Sequence, residues 1–440
     1  MGPEWIAIIA LVALFVAGTV LPINMGALAY VAAWFVGVFA LHMDEKEILG
    51  GISADLVLTL IGVTYLFSIA KNNGTVDLIV AKAIQAVGGR VALIPWVMFA
   101  VTALLTAIGA ASPAACAIIG PVALGFARRY KINPLMMGMF VVHGAQGGGF
   151  SPISIYGTIT NSVMADVGYE GTEMGVFIAS LAVNTAMAVI LFFALGGRQL
   201  MQERVDPADA AGHVVDDLHK GGQSVTVSGQ GAGVSTMTRA VGVRRDHVLT
   251  LVAFAAVATT ALAFDQNIGF VSITAAVVLA MLSPQQHKDA VKQIAWPTVL
   301  LVAGVSTYAT ILTEAGSPEY IGNWAAGLGI AAIGALILCY VGGIASAFAS
   351  STALLPVIIP IAVPLIAGGG VSPWAMAAAL AVSSTIVDVS PFSTNGALML
   401  ANRPDTISEQ AYYKQILNYA IIVTLAGPLL VWGILVLPGW

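Results

Sequence analysis

Apolar residues in this chain fall in long unbroken runs, and they do not alternate with polar ones. Residues 5–22 (WIAIIALVALFVAGTVLP) and 247–264 (HVLTLVAFAAVATTALAF) are two such runs. A bilayer core of about 30 Å is crossed by roughly 20 apolar helical residues. A membrane β-barrel would instead show segments of about ten residues alternating in polarity, and none is visible. The pattern predicts an all-α polytopic membrane protein.

The runs form two blocks in the same order. The first block predicts helices at 5–22, 25–42 and 54–72, an amphipathic stretch at 75–89, and runs at 91–110 and 113–128. A broken segment at 134–163 and a helix at 172–197 complete it. The second predicts 247–264, 267–283, 296–313, 318–328, 330–348 and 351–367, a broken segment at 373–402 and a helix at 411–437. Residue identities set the register between them. Asn24 and Gly26 match Asn267 and Gly269 at a shift of 243, and Gly62 matches Gly304 at 242. Ser112, Pro121, Pro134, Ser151, Pro152, Ser154 and Gly157 all match residues 239 further on, from Ser351 to Gly396. Coinciding helix breakers point to an internal repeat. The domains expected are repeat 1 at 1–197, a polar Gly/Ser/Asp-rich linker at 198–246, and repeat 2 at 247–440.

Composition agrees with a membrane protein. Charged residues are 9% of the chain and hydrophobic ones 58%, against about 25% charged in soluble domains. The start MGPEWIAIIA lacks the basic stretch of a cleaved signal peptide and reads as the first membrane helix. Cys116 and Cys339 sit in apolar runs and read as small core residues. The net charge of −5 gives no reason to expect nucleic acid.

Charge also orients the chain. With 91–128 and 330–367 taken as hairpins, each block has five full crossings, so the second block is inverted. Placing both termini outside leaves only Lys46 outside and puts the other 16 of the 17 basic residues on the cytoplasmic side, with the linker. That is the bias expected of an inner (plasma) membrane protein. The uncharged tips GAASPAAC and FASSTALL suit re-entrant hairpins buried at mid-membrane.

Both broken segments carry Ser-Pro-x-Ser-x-x-Gly, as SPISIYG (151–157) and SPFSTNG (390–396). Non-helical backbone survives at membrane depth only inside protein or beside water. Transporters use such breaks, in inverted repeats, to hold anions and cations near the midplane. The two breaks are therefore expected to be halves of one site. Candidate substrate contacts are Ser112, Ser151, Ser154, Thr158, Ser351, Thr352, Ser390, Ser393, Thr394 and Asn395. Candidate cation contacts are Gly147, Gly148, Gly149, Ser350 and Asp388, the last a carboxylate in an apolar context. His143 is a candidate for contact with a proton or with substrate. An intramembrane hydrolase built on Ser151 and His143 is the competing class; no third orienting group is evident in the sequence.

The layout resembles the ion transporter superfamily, which includes divalent-anion/sodium symporters. Within it, HGAQGGGFSPISIYG and the preceding SPAACAIIGPVALGFARRY are similar to the malonate-type (MatC-type) dicarboxylate carriers. This resemblance implies a secondary transporter, with no cofactor beyond Na⁺ or H⁺ as coupling ion. It implies a small anionic substrate (malonate or a C4-dicarboxylate, or else another small anion), a homodimer, and an elevator-like movement. Where the symporters carry Ser-Asn-Thr at each hairpin tip, this chain has Ala111-Ser112-Pro113 and Ser350-Ser351-Thr352. Their Thr-Pro-Pro-Asn becomes Ser151-Pro152-Ile153-Ser154 and Ser390-Pro391-Phe392-Ser393.

Overall fold

A computed structural model describes residues 2–21, 23–85, 88, 90–203, 243–264, 266–326, 331–347, 351–368 and 370–439. Among them every regular element is a helix. The linker prediction falls mostly on 204–242, which lies outside the described residues, as does candidate Ser350.

The first half runs α1 Pro3–Val20, α2 Met25–Ala40, α3 Glu45–Gly50, α4 Ala54–Asn72, α5 Thr75–Gln85, α6 Leu93–Ala107, α7 Ser112–Arg129, α8 Pro134–Gly148, α9 Ile155–Asp166 and α10 Glu173–Ala194. The second runs α11 Arg245–Phe264, α12 Ile268–Leu282, α13 Trp296–Glu314, α14 Ser317–Ala326, α15 Ala331–Ser346, α16 Ser351–Ile361, α17 Val363–Ala367, α18 Pro373–Ile386, α19 Thr394–Ala401 and α20 Glu409–Leu435. The two broken segments divide where the sequence divides them, into α8 and α9 and into α18 and α19.

Among the described residues, α4, α10, α13 and α20 are the helices long and apolar enough to cross a membrane unaided. That is fewer than the uninterrupted crossings expected from the runs. Asn24 and Asn267 each fold back to cap α2 and α12, accepting from the backbone N–H of Gly26 and Phe270. These helices end at Ala40 and Leu282 and run only 16 and 15 residues.

Packing between the halves follows an exchange rule. Helix α2 packs on α13, and its counterpart α12 packs on α4. A Cβ at Gly26 would stand 2.1 Å from Leu300 O, and one at Gly304 would stand 2.0 Å from Gly26 O. In the exchanged pair, a Cβ at Gly62 would stand 2.6 Å from Gly269 O. Small residues let membrane helices approach this closely. The asparagine caps obey the same rule: Asn24 Nδ2 donates to Pro297 O at 3.0 Å, and Asn267 Nδ2 donates to Asp55. Likewise α7 packs on α19 and α16 on α9.

The exchange breaks down in one place. Helix α16 packs on α13 and α9 on α4, but among the described residues the counterpart pairs α7–α4 and α19–α13 are barely in contact. Large apolar side chains on the outer helices face outward, among them Trp34, Phe35 and Phe39 of α2 and Ile421, Ile422 and Leu425 of α20. Buried polar residues gather inside, on α8, α18 and the breaks. That distribution suits a lipid surround.

Candidate functional site

The repeated motif is first of all a way of stopping and restarting a helix. After α8 ends, Ser154 caps α9: its Oγ accepts from Gly157 N at 3.2 Å and donates to Ser151 O at 2.6 Å and to Gly149 O. After α18 ends, Ser393 caps α19 in the same way, accepting from Gly396 N at 3.3 Å and donating to Ser390 O at 2.7 Å. Glycine closes the motif because a Cβ at Gly157 would lie 1.9 Å from Ser151 O, and one at Gly396 would lie 2.0 Å from Ser390 O.

Both breaks and the starts of α7 and α16 line one cavity of about 390 Å³. Ser112, Pro113 and Ala114 of the α7 start line it, with Ser351 and Thr352 of the α16 start. Gly149, Ile155 and Tyr156 come from the first break, and Asp388 and Thr394 from the second. Asn24, Ala295, Pro297, Thr298 and Leu301 close one end. No Lys or Arg lines it among the described residues. Asn395 ties the parts together: its Nδ2 donates to Asp388 Oδ2 at 2.7 Å and to Ser112 Oγ at 2.9 Å. The two halves are thus joined through polar side chains at the site.

Four helix N-termini, those of α7, α9, α16 and α19, meet at this cavity. Each carries roughly half a positive charge, so together they supply about +2. Helix α7 has no side-chain cap on its first N–H groups. The cavity thus offers anion-binding backbone without a basic side chain. Asp388 places a carboxylate within it.

Among the sequence candidates, Ser112, Gly149, Ser351, Thr352, Asp388 and Thr394 line the cavity, and Asn395 bonds to two of them. Others sit elsewhere. Ser154 and Ser393 are helix caps. Ser390 donates to Ala347 O at 3.0 Å and accepts from the backbone of Phe392 and Ser393, steadying the second break. Ser151 is absent from the cavity lining, although its carbonyl holds Ser154. Thr158 faces a second cavity of about 690 Å³, with Asp55, Thr59, Asn161 and Asn267.

Gly147 and Gly148 serve helix packing, because α8 presses against its neighbours. A Cβ at Gly148 would meet Ala103 O of α6 at 1.9 Å, and one at Gly147 would meet Asn184 of α10 at 3.3 Å. His143 lies in a separate buried chain. Its Nδ1 pairs with Asn184 Oδ1 at 2.8 Å and its Nε2 with Tyr419 Oη at 2.6 Å. Both ring nitrogens are therefore engaged away from Ser151, which leaves the hydrolase reading without its base.

Sequence reasoning missed Tyr156, Asn24 and Thr298. Tyr156 stands 239 residues before Asn395, itself a candidate, so the register contained the signal. Asn24 served only as a repeat marker.

The fold is similar to that of a solved transporter. The chain superposes on the Alcanivorax borkumensis YdaH transporter with a TM-score of 0.56, covering 88% of this chain and 86% of that one at 13% identity. Residues 1–149 match the family described as the dicarboxylate carrier protein MatC N-terminus, which bears out the MatC-type resemblance in sequence over that stretch. No curated protein matches the chain by sequence.

Proposed function

We propose that the chain is a secondary transporter for a small dicarboxylate, malonate or a C4 acid, coupled to Na⁺ or H⁺. The observation that carries this reading is the shared cavity: two tips and two breaks, four helix N-termini, and one carboxylate, Asp388. The volume is within the range of small-molecule sites, roughly 300–1,000 Å³. A dianion is matched by helix ends of about +2 in total, and the coupling cation offsets Asp388. The MatC match over 1–149 favours a dicarboxylate over other anions.

The exchange of α2–α13 with α12–α4, and of α7–α19 with α16–α9, supports two repeats related by a two-fold axis. The odd number of crossings and the basic-inside count support their inversion, with both termini outside. Arms as short as α6, 15 residues or about 22 Å long, and a buried Ser112 bonded to Asn395 support re-entrant hairpins. Asn24 and Pro297, at one end of the cavity, lie on the side of Lys288 and Lys292, the cytoplasmic side in this reading. The loose α7–α4 and α19–α13 pairs are then the contacts that close in the opposite state, as an elevator-like movement requires. A homodimer in the inner membrane completes the reading.

The test is uptake of labelled malonate, and of a C4 acid, into proteoliposomes. It is run with and without Na⁺ and with a protonophore. Uptake that depends on one of the two gradients, and that Asp388→Asn reduces at least tenfold, is expected. No uptake of either acid, or an unchanged rate and cation dependence in Asp388→Asn, would refute the reading.

A further inference from the structure

The register of 239 carries Ser112 onto Ser351, Gly149 onto Asp388 and Tyr156 onto Asn395. All six lie at or against the one cavity, yet the two triads differ. In the second, both hydrogens of Asn395 Nδ2 are spent, on Asp388 and on Ser112. Its Oδ1 is buried and has no partner. A buried acceptor without a donor is costly. Here it sits on the residue that binds a carboxylate, a setting that suits a hard cation with oxygen ligands. With the amide oriented to donate to Asp388, a proton on that carboxyl gives Asn395 Oδ1 no partner, whereas Na⁺ can take oxygens from both residues.

The first triad has no such pair. Position 149 is glycine, and a Cβ there would stand 2.8 Å from Tyr156 Cδ2. The ring, with Ala145 O at 3.0 Å, crowds the start of any side chain at 149. Its hydroxyl sits beside the hydroxyls of Ser112 and Ser351, at the meeting of the two tips. Tyr156 is only 6% exposed.

We infer that Tyr156 fills the place where repeat symmetry would put a second cation, so that the chain couples through a single Na⁺ at Asp388 and Asn395. This rests on the transport reading above and sharpens it. The charges agree: helix ends of roughly +2, less Asp388, plus one Na⁺, again oppose a dianion. Tyr156 thereby becomes a determinant of stoichiometry, and its phenol is a neutral donor toward substrate.

The experiment is equilibrium binding of radiolabelled Na⁺ to the purified full chain without dicarboxylate. Saturation at one Na⁺ per protomer is expected, with a Hill coefficient near one and at least tenfold weaker binding in Asp388→Asn. Tyr156→Phe keeps the ring and should keep that count. Gly149→Asp combined with Tyr156→Asn rebuilds the missing pair and should bind a second Na⁺. Wild-type binding of two or more Na⁺, binding of none, or full binding in Asp388→Asn would each overturn the inference. The wild-type count decides even if the double variant fails to fold. Failure of the transport reading looks different: one Na⁺ bound, yet no dicarboxylate taken up.

Discussion

Gly396 closes the second Ser-Pro break, and replacing it with alanine puts the geometry of that break under direct test. The new Cβ would stand 2.0 Å from Ser390 O and 2.6 Å from Ser390 C, both backbone atoms that no rotamer change can move. To reach an ordinary contact the break must shift by roughly 1.4 Å, an overpacking strain that costs about 1–3 kcal/mol. The same shift strains the cap from Gly396 N to Ser393 Oγ, and a lost cap costs about 1 kcal/mol more. Gly396→Ala is therefore expected to destabilise by about 2–4 kcal/mol. Gly157→Ala should behave alike, because its Cβ would lie 1.9 Å from Ser151 O. Gly433→Ala is the control. It lies inside α20 with no atom within 4 Å of the added Cβ. It should be neutral or stabilise by up to about 1 kcal/mol. Thermal unfolding in detergent, followed by loss of the monodisperse species, reads the difference. If Gly396→Ala melts with Gly433→Ala and the wild type, the backbone of the break is not arranged as described.

Asn24→Ala and Asn267→Ala each remove a cap and should each cost about 1 kcal/mol. Only Asn24→Ala should also raise the KM for dicarboxylate, since Asn24 alone of the pair lines the candidate cavity. His143→Phe leaves Asn184 Oδ1 and Tyr419 Oη buried without His143 as partner. It should lower stability by about 1–3 kcal/mol per orphaned group while leaving cation selectivity unchanged in the folded fraction. Arg128→Ala removes an exposed pair with Asp405 and should shift stability by no more than about 0.5 kcal/mol, measured in the same unfolding assay.

Much of this architecture is legible in the residues. Proline and glycine at matching positions announce the repeat and locate both breaks, because a membrane helix stops only where its backbone finds other partners. Asp388 stands out for the same reason. The hydroxyl residues are harder to read. Ser154 and Ser393 look like ligands but are capping residues, since the first demand on a serine beside a new helix is its unpaired N–H groups. Gly147 and Gly148 resemble a ligand-approach loop, yet α6 and α10 press against them. Tyr156 escapes notice because an aromatic in an apolar run reads as core. Only the register with Asn395 marks it in the sequence, and the contact that gives it weight comes from the opposing tip, which brings Ser351 toward it. Asn24 shows the same limit from the other side: its role at the cavity depends on Pro297, 273 residues away.

The central claim is one pocket, built by both halves, that binds a dicarboxylate. It is tested most directly by substrate protection of cysteines introduced singly at Thr394 and Ser112, labelled with a membrane-impermeant thiol reagent. Both native cysteines are buried. Malonate, or the C4 acid that is transported, should slow labelling at both positions severalfold, while labelling at Gly433→Cys stays unchanged. Protection at neither position, or at only one of the two halves, would contradict a shared pocket.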